Sequence, residues 1–474
     1  MRNLALSLVA TIALTSSATA TAADWPLSLH PDNPHYFLFR GKPAVLVTSG
    51  EHYGAVLNLD FDFIPYLDEL KARGFNLTRL FSGTYREVPG SFKIASNTLA
   101  PKPGRFCGPY ARSETPGAAD GDARFDLDRW NPAYFPRLQA FCKAASDRGI
   151  VVEFVLFCPF YEDGLWAVNA WNPRNNINGS PDVPMKEVYT LKHPKVVDRQ
   201  LAFVRKAVTE LNRFDNVTFE ICNEPYFGGV TLDWQAKVAA TIVEAESTVP
   251  NRHLIAQNIA NGASKVERPD PNVSLFNFHY ARPPKAVELN YGLNKAIGDD
   301  ETGFQGTGNF VYRSEAWDFL LAGGSLFSHL DYSFTVDHPN GTAPVVDPTP
   351  GGGGPTFRAQ LAYLKQFVEG FDILKLKPDN SVIVGGVPEG STVRVLADPG
   401  RAYAVYLKGP LPEHLSFALP GRSHRFEWHD PKAGTILRVE TMTFSGGGVV
   451  GPTFATIRLP VGLEDVALRI DSTK

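Results

Sequence analysis

The sequence predicts a (β/α)8 barrel, an α/β fold, followed by a smaller all-β sandwich, and three observations carry that prediction. From about Phe37 to Leu374, eight short β-branched or apolar runs alternate with longer amphipathic stretches, the pattern of βα units on a parallel sheet. Two connections that follow strand ends are far longer than a compact barrel needs, and that face is where barrel enzymes place their chemistry. From about Lys377 the texture changes to closely spaced alternating strands cut by Pro and Gly.

In chain order the eight runs are residues 44–48, 76–81, 151–157, 217–222, 253–257, 274–278, 295–298 and 325–330. The stretches between them read as helices. Over residues 194–212, for example, Val197, Leu201, Val204, Val208 and Leu211 recur at helical spacing with charges between them. An open doubly wound sheet is the alternative, but Ser49-Gly50-Glu51-His52-Tyr53-Gly54 follows the first run where a Gly-rich phosphate turn would stand. The long connections are residues 82–132, rich in Pro, Gly and Ser, and 159–193, which carry Trp166 and Trp171. A third, 331–355, closes on the glycines Gly351 to Gly354. A helix over 357–371 then leads through a short connector to strands at 394–397, 402–407, 415–419, 425–428, 435–440, 455–459 and 466–470. The short connector implies that barrel and sandwich pack as one rigid unit.

Composition narrows the function. The chain has 474 residues, and 46 basic against 50 acidic side chains leave a net charge of −4, no basis for attracting a phosphate backbone or an anionic membrane. Residues 1–22 carry Arg2, an apolar stretch from Leu4 to Leu14 and Ala20-Thr21-Ala22 before Ala23, the pattern of a cleavable secretory leader. Export is expected, to the medium or the periplasm. The expected organisation is therefore a leader over 1–22, a barrel over 23–376 and a sandwich over 377–474. No later run reaches the roughly 18 apolar residues a membrane span needs. Four cysteines are too few for a disulfide scaffold, although an export compartment permits one bridge such as Cys107 to Cys142. Neither a His-Glu-x-x-His pattern nor clustered Cys pairs occur, so no metal or cofactor is called for.

The strongest chemical signal is Asn223-Glu224-Pro225, directly after the fourth run. A carboxylate there projects into the barrel mouth, and the proline ends the strand and fixes the geometry. Three units later the seventh run opens into Asp299-Asp300-Glu301-Thr302-Gly303. Two carboxylates from separate strand ends facing one cavity suit glycoside hydrolysis, in which one protonates the leaving oxygen and the other attacks the anomeric carbon or activates water. Glu301 is the expected nucleophile because it lies furthest out, with Asp299 and Asp300 as competitors. Cys222, two residues before Glu224, has no nearby His motif to make it a nucleophile.

This constellation resembles the clan A glycoside hydrolases, (β/α)8 barrels with Asn-Glu on the fourth strand and Glu on the seventh. The resemblance covers nearly the whole chain beyond residue 22. It implies a retaining hydrolase acting on a carbohydrate, with Glu224 as acid/base, Glu301 as nucleophile and Asn223 as a sugar-binding residue. It also implies that Arg79, in Leu77-Thr78-Arg79-Leu80-Phe81, stands near Glu301 and keeps it ionised. His279 and Tyr280 match the clan's sixth-strand His and Tyr, but at adjacent positions, so a regular strand would turn only one of them inward, and His279 is the expected one. Tyr332 stands where the clan often has a sugar-stacking Trp. Trp166, Trp171, Tyr226 and Phe227 are further candidates for stacking on a sugar, each also suited to a core. Within the clan the chain is most similar to the apiosidase-like branch, through Phe37-Leu38-Phe39-Arg40-Gly41-Lys42-Pro43 and a sandwich like the collagen-binding type with Trp428-His429-Asp430-Pro431. That branch is associated with an Asp acid/base, so apiose specificity does not follow. A non-catalytic carbohydrate-binding barrel and a transglycosylase are the rival readings of the same residues.

Overall fold

The computed structural model describes residues 26–443, 452–460 and 462–473, and the leader expected over 1–22 lies outside them. Eight parallel strands form the barrel: β1 (Leu46–Gly50), β2 (Leu77–Phe81), β3 (Val151–Phe157), β4 (Val217–Cys222), β5 (Ile255–Asn261), β6 (Leu275–His279), β7 (Ala296–Thr302) and β8 (Leu326–Leu330). From β2 to β8 each strand pairs with the next in sequence, and β8 pairs back onto β1, which leaves β1 and β2 unpaired with each other. The seam between β1 and β2 is closed by one asparagine. Asn76 Oδ1 accepts from the Val47 amide at 3.0 Å, and its Nδ2 donates to the Val45 carbonyl at 2.8 Å.

Helices follow the strands as the amphipathic pattern implies: α1 (Phe63–Ala72), α2 (Tyr134–Asp147), α3 (Pro194–Leu211), α4 (Leu232–Glu246), α5 (Lys285–Asn290), α6 (Asn309–Leu321) and α7 (Pro355–Glu369). In α3 the expected stripe of Val197, Leu201, Val204, Val208 and Leu211 is the buried face. Among the described residues no helix joins β5 to β6.

The barrel interior changes character along its axis. At the amino ends of the strands Leu46, Leu77, Val151, Ala256, Leu275, Ala296 and Leu326 form an apolar plug with Leu27, Phe37 and Ala44. The last three belong to or precede an N-terminal sheet of three strands, Ser28–His30, Asn33–Phe39 and Lys42–Ala44, which the sequence analysis does not predict. Two residues further along the same strands the inward positions turn polar, with Arg79, Glu153 and Asn277 all buried. Gly298 is required at this level, because a Cβ there would lie 2.4 Å from Asn277 Oδ1.

The loops at the opposite end carry secondary structure of their own. Residues 82–132 contain a hairpin of Tyr110–Pro116 and Ala123–Trp130. Its second strand zips to the next long loop, with the Phe125 amide donating to the Asn175 carbonyl at 2.7 Å and the Ile177 amide to the Phe125 carbonyl at 3.0 Å. The two long loops therefore form one wall. All four cysteines are free and buried, so the Cys107–Cys142 bridge is not formed.

After α7 come a six-stranded and a three-stranded antiparallel sheet, with strands at Thr392–Asp398, Ala402–Lys408, His414–Pro420, Ser423–Asp430, Thr435–Thr443, Pro452–Arg458 and Asp465–Ser472 in the expected order. Their core holds Val395, Leu407, Phe417, Phe426, Trp428 and Leu468. This β-rich domain is bolted to α6. Trp317 stacks on Tyr406 with ring centroids 5.4 Å apart, and Asp318 binds Arg394 and Lys408, each at 2.8 Å. Arg313 makes a buried two-pronged contact to Asp465 at 3.1 and 3.0 Å. Truncating one partner strands a buried charge, so Arg313→Ala should lower stability by about 3–5 kcal/mol. A denaturant titration followed by circular dichroism and by tryptophan fluorescence checks this, with a single transition expected in both signals.

Candidate active site

Where β4 ends, the Asn223 amide donates to the Phe157 carbonyl at 2.9 Å, and Glu224 then takes a left-handed backbone, φ +37°, before Pro225 stops the strand. This turn delivers the Glu224 carboxylate to the barrel mouth. Its Oε2 accepts from the Tyr161 hydroxyl at 2.6 Å, and its Oε1 lies 3.1 Å from His279 Nδ1 and 3.3 Å from the Tyr226 hydroxyl. Burial raises the Glu224 carboxyl, but the hydrogen bond and charge of His279, with Tyr161, more than offset it and hold the group below the ordinary carboxylate range.

Strand β7 runs on through Thr302, and its pairing with both neighbours shifts near Glu301. The irregularity lets two adjacent acids serve the interior. Asp300 points down the axis, with Oδ2 3.1 Å from Arg79 Nε and Oδ1 3.4 Å from His279 Nε2. Glu301 reaches the cavity, where Oε1 accepts from the Tyr280 hydroxyl at 2.5 Å, and Oε2 from the Tyr53 hydroxyl at 3.0 Å and Arg79 Nη1 at 3.4 Å. Asp299 is buried against Glu315 of α6, where burial and that neighbouring charge push its carboxyl well above the ordinary range. Of the three acids at this strand end, Glu301 alone lines the cavity.

The cavity measures about 300 Å³ and is lined by Glu224, Glu301 and Asn223, by the aromatic rings of Tyr53, Phe81, Tyr85, Phe92, Tyr161, Phe227, Tyr280 and Phe304, and by His52, Glu87, Leu99, Cys158 and Asn261. One oxygen of Glu224, one oxygen of Glu301 and a ring nitrogen of His279 lie within 4.8 Å of one another. Backbone strain gathers in the same walls. Of the eight non-glycine residues at positive φ among the described residues, five line the cavity: Tyr53, Phe92, Glu224, Tyr280 and Phe304. Each costs on the order of 1–3 kcal/mol, which the surrounding packing offsets.

Beneath the cavity Arg79 is completely enclosed. Its Nη2 donates to Glu220 Oε1 at 2.5 Å and Asn223 Oδ1 at 2.8 Å, and Asn277 Nδ2 bridges Glu153 and Glu220 at 2.7 and 3.0 Å. Glu153, Glu220 and Asp300 lie close enough together to suggest a cation site, but the guanidinium sits among them and supplies that charge. Burial and the Asp300 charge push Glu153 up to about 8, and burial carries Glu220 well above its ordinary value in spite of Arg79. Burial opposes ionisation of Asp300 too, yet Arg79 and His279 hold it well below the usual range. Burial lowers His279, while the charges of Glu301 and Asp300 raise it by more, leaving the imidazole well above its ordinary value.

Asn223, Arg79, His279, Tyr280 and Tyr226 thus gather around the two glutamates as the sequence suggested, with one difference. Tyr280 follows the end of β6 at φ +52°, off the strand, so it and His279 both turn toward the carboxylates. The tryptophans are elsewhere. Trp171 is 2% exposed and packs on Phe157 and Tyr189 with Nε1 donating to the Tyr110 hydroxyl at 3.1 Å. Trp166 packs on Phe160 at 5.0 Å and does not line the cavity. Tyr332 also stands behind the wall, its ring against His52 and Phe304. Sequence reading passed over Tyr53, Tyr161, His52 and Glu87. The signal for the first and third was position alone, since Glu51-His52-Tyr53 directly follows a barrel strand.

Comparison with known proteins locates the fold. Residues 102–232 match the family model of a domain of unknown function, DUF6298, which spans β3, β4 and Glu224. No curated protein matches the sequence. Among solved structures the chain is similar to a Bacteroides vulgatus protein named as a candidate glycoside hydrolase, with TM-score 0.67, 16% identity, 95% of this chain and 83% of that one. A second, named glycoside hydrolase, gives 0.64 and 15% over 95% and 97% of the two chains. A glycoside hydrolase family 5 protein from Bacteroides vulgatus gives 0.61 and 15% over 94% and 93%. At these identities the likeness shows a shared fold over almost the full length of both chains.

Proposed function

We propose that this protein is an exported retaining glycoside hydrolase acting on an oligo- or polysaccharide, with Glu224 as acid/base and Glu301 as nucleophile. The observation that carries the proposal is the spacing of the two carboxylates, whose oxygens approach within 4.8 Å from the ends of β4 and β7. So close an approach of two oxygens leaves little room for a water between them, which favours the retaining arrangement, with carboxyl groups about 5–5.5 Å apart, over the inverting one at about 6.5–9.5 Å. Export is supported by the leader pattern of residues 1–22, and the fold is one that the similar chains named as glycoside hydrolases also have. The apiosidase-like resemblance stays at the level of architecture, because Glu224 stands where that branch has Asp.

In the first step Glu301, aligned by Tyr53, Tyr280 and Arg79, attacks the anomeric carbon while Glu224 protonates the leaving oxygen. In the second, ionised Glu224 takes a proton from water, which opens the glycosyl ester. Arg79 and the two tyrosines donate to Glu301 from preset positions that need no rearrangement as charge moves. The proton for the first step is shared with His279, whose Nδ1 is 3.1 Å from Glu224 Oε1. Proton NMR of the first-formed product tests the proposal. The retained anomer is expected, and the inverted anomer would remove Glu301 from the nucleophile role.

The shared proton has a pH signature. A general acid must be protonated, so activity falls as pH rises through the value at which the Glu224–His279 pair loses its proton. Because His279 is held well above the ordinary imidazole range, that basic limb should lie at high pH in the wild type. His279→Gln removes the imidazolium and leaves only the Glu224 carboxyl, which burial then raises from its depressed value. The basic limb of the kcat profile should move to lower pH in this variant, with kcat reduced by about 10- to 100-fold. An unmoved limb would show that His279 does not share the proton.

A further inference from the structure

One carboxylate of the cavity wall has no part in double displacement. Glu87, in the loop after β2, is 5% exposed and lines the cavity with Glu224 and Glu301. It is rigidly held, with Oε2 accepting from Asn97 Nδ2 and lying 3.3 Å from His52 Nε2, Oε1 accepting from the Tyr85 hydroxyl at 3.2 Å, and its amide donating to the Leu99 carbonyl at 2.9 Å. Those protein donors use only part of a carboxylate's accepting capacity of about four bonds. A buried charge aimed at a cavity with spare lone pairs is suited to receiving hydroxyls.

The rest of the wall sets the shape and charge of what fits. No Arg or Lys lines the cavity among the described residues, and Arg79 below it is committed to Glu220, Asp300, Asn223 and Glu301. His52 in the wall already faces Glu87, and His279 behind it already faces Glu224, Glu301 and Asp300. A sugar carrying its own carboxylate would therefore meet three acids whose neighbouring cations are already paired with protein carboxylates. Phe92, from the same loop as Glu87, reaches across to pack edge-on against Tyr161 at 5.3 Å and Phe304 at 6.5 Å. Three loops thus meet around a cavity of about 300 Å³, at the lower end of the roughly 300–1,000 Å³ typical of ligand pockets and sized for one ring of a sugar chain.

We infer that Glu87 is the recognition residue for a single uncharged or amino-bearing terminal sugar, whose hydroxyls it accepts while Glu301 attacks, and that the site rejects uronic acids. The inference rests on the glycosidase reading and adds its substrate class. The test uses 4-nitrophenyl glycosides of neutral hexoses and pentoses beside the matching uronides, with the wild type, Glu87→Gln and Glu87→Asp. The wild type should favour neutral substrates by 100-fold or more in kcat/KM, the scale of a misplaced buried charge. Glu87→Gln should lose about 10- to 100-fold on neutral substrates, chiefly through KM, and narrow the preference against uronides about ten-fold. Glu87→Asp, which keeps the charge but withdraws it, should raise KM with the uronide preference intact. Should the Gln variant fail to fold, the wild-type preference and the Asp variant still decide. Equal use of uronides by the wild type, or unchanged KM and preference in the variants, overturns the inference while leaving the glycosidase standing. A wild type inactive on every substrate overturns both.

Discussion

Glu301→Ala should lower kcat by roughly 10⁴-fold or more, the scale lost when a covalent nucleophile is deleted, with little change in the folded structure. The side chain stands at the cavity and its three donors, Tyr53, Tyr280 and Arg79, converge on it. Removing it leaves the anomeric carbon with no partner, so no glycosyl ester forms. Added azide should then enter the space of the lost carboxylate and give a glycosyl azide of the opposite anomeric configuration. The neighbouring acids predict a different result. Asp300 is bound up with Arg79 and His279, and Asp299 lies against Glu315, so neither substitution should remove the covalent step itself. Normal activity in Glu301→Ala together with its loss in Asp299→Ala or Asp300→Ala would transfer the nucleophile role to an aspartate.

Glu224→Ala should have an effect nearly as large, but one that depends on the leaving group. An aryl glycoside whose departing oxygen needs little protonation should keep an appreciable first step, so the ester accumulates and steady-state turnover falls by about 10²- to 10⁴-fold. Poor leaving groups should be far slower, since they need the proton that Glu224 gives. Azide should restore turnover, because the anion opens the ester without a base, and the product should be a glycosyl azide of retained configuration. Exchange of the two azide outcomes between the variants would mean that the two glutamates have each other's roles. Burst and steady-state kinetics with a graded series of aryl leaving groups measure both effects.

The barrel was legible because its strands are apolar runs that need no tertiary context. β3 and β4 match the sequence reading from end to end, and Glu224 could be placed because Pro225 marks the end of its strand. The seventh run stops at residue 298 in the sequence reading because three consecutive acids are unlike the apolar runs of the other strands, whereas β7 continues through Thr302. Only the distant Arg79 and His279 make a buried acidic strand tolerable, and nothing local records them. The sequence could not rank aromatics either. Trp166 and Trp171 sit in a long loop where stacking on a sugar and packing in a core suit a tryptophan alike; the hairpin at residues 110–130 helps bury Trp171, while tyrosines at strand ends bind the glutamates. Side-chain direction also escaped period-two reasoning where the backbone leaves the strand, as at Tyr280 and Glu224, both at positive φ.

The claim on which the rest depends is a covalent sugar ester on Glu301. A 2-deoxy-2-fluoro glycoside with an activated leaving group slows both steps but the second more, so the intermediate persists long enough for mass spectrometry of the intact protein and of its peptides. The expected result is one added glycosyl mass, located on the peptide containing Glu301 and absent from Glu301→Ala. A label on Glu224, Asp299 or Asp300, or turnover of unmodified substrate with no covalent adduct at all, would contradict it.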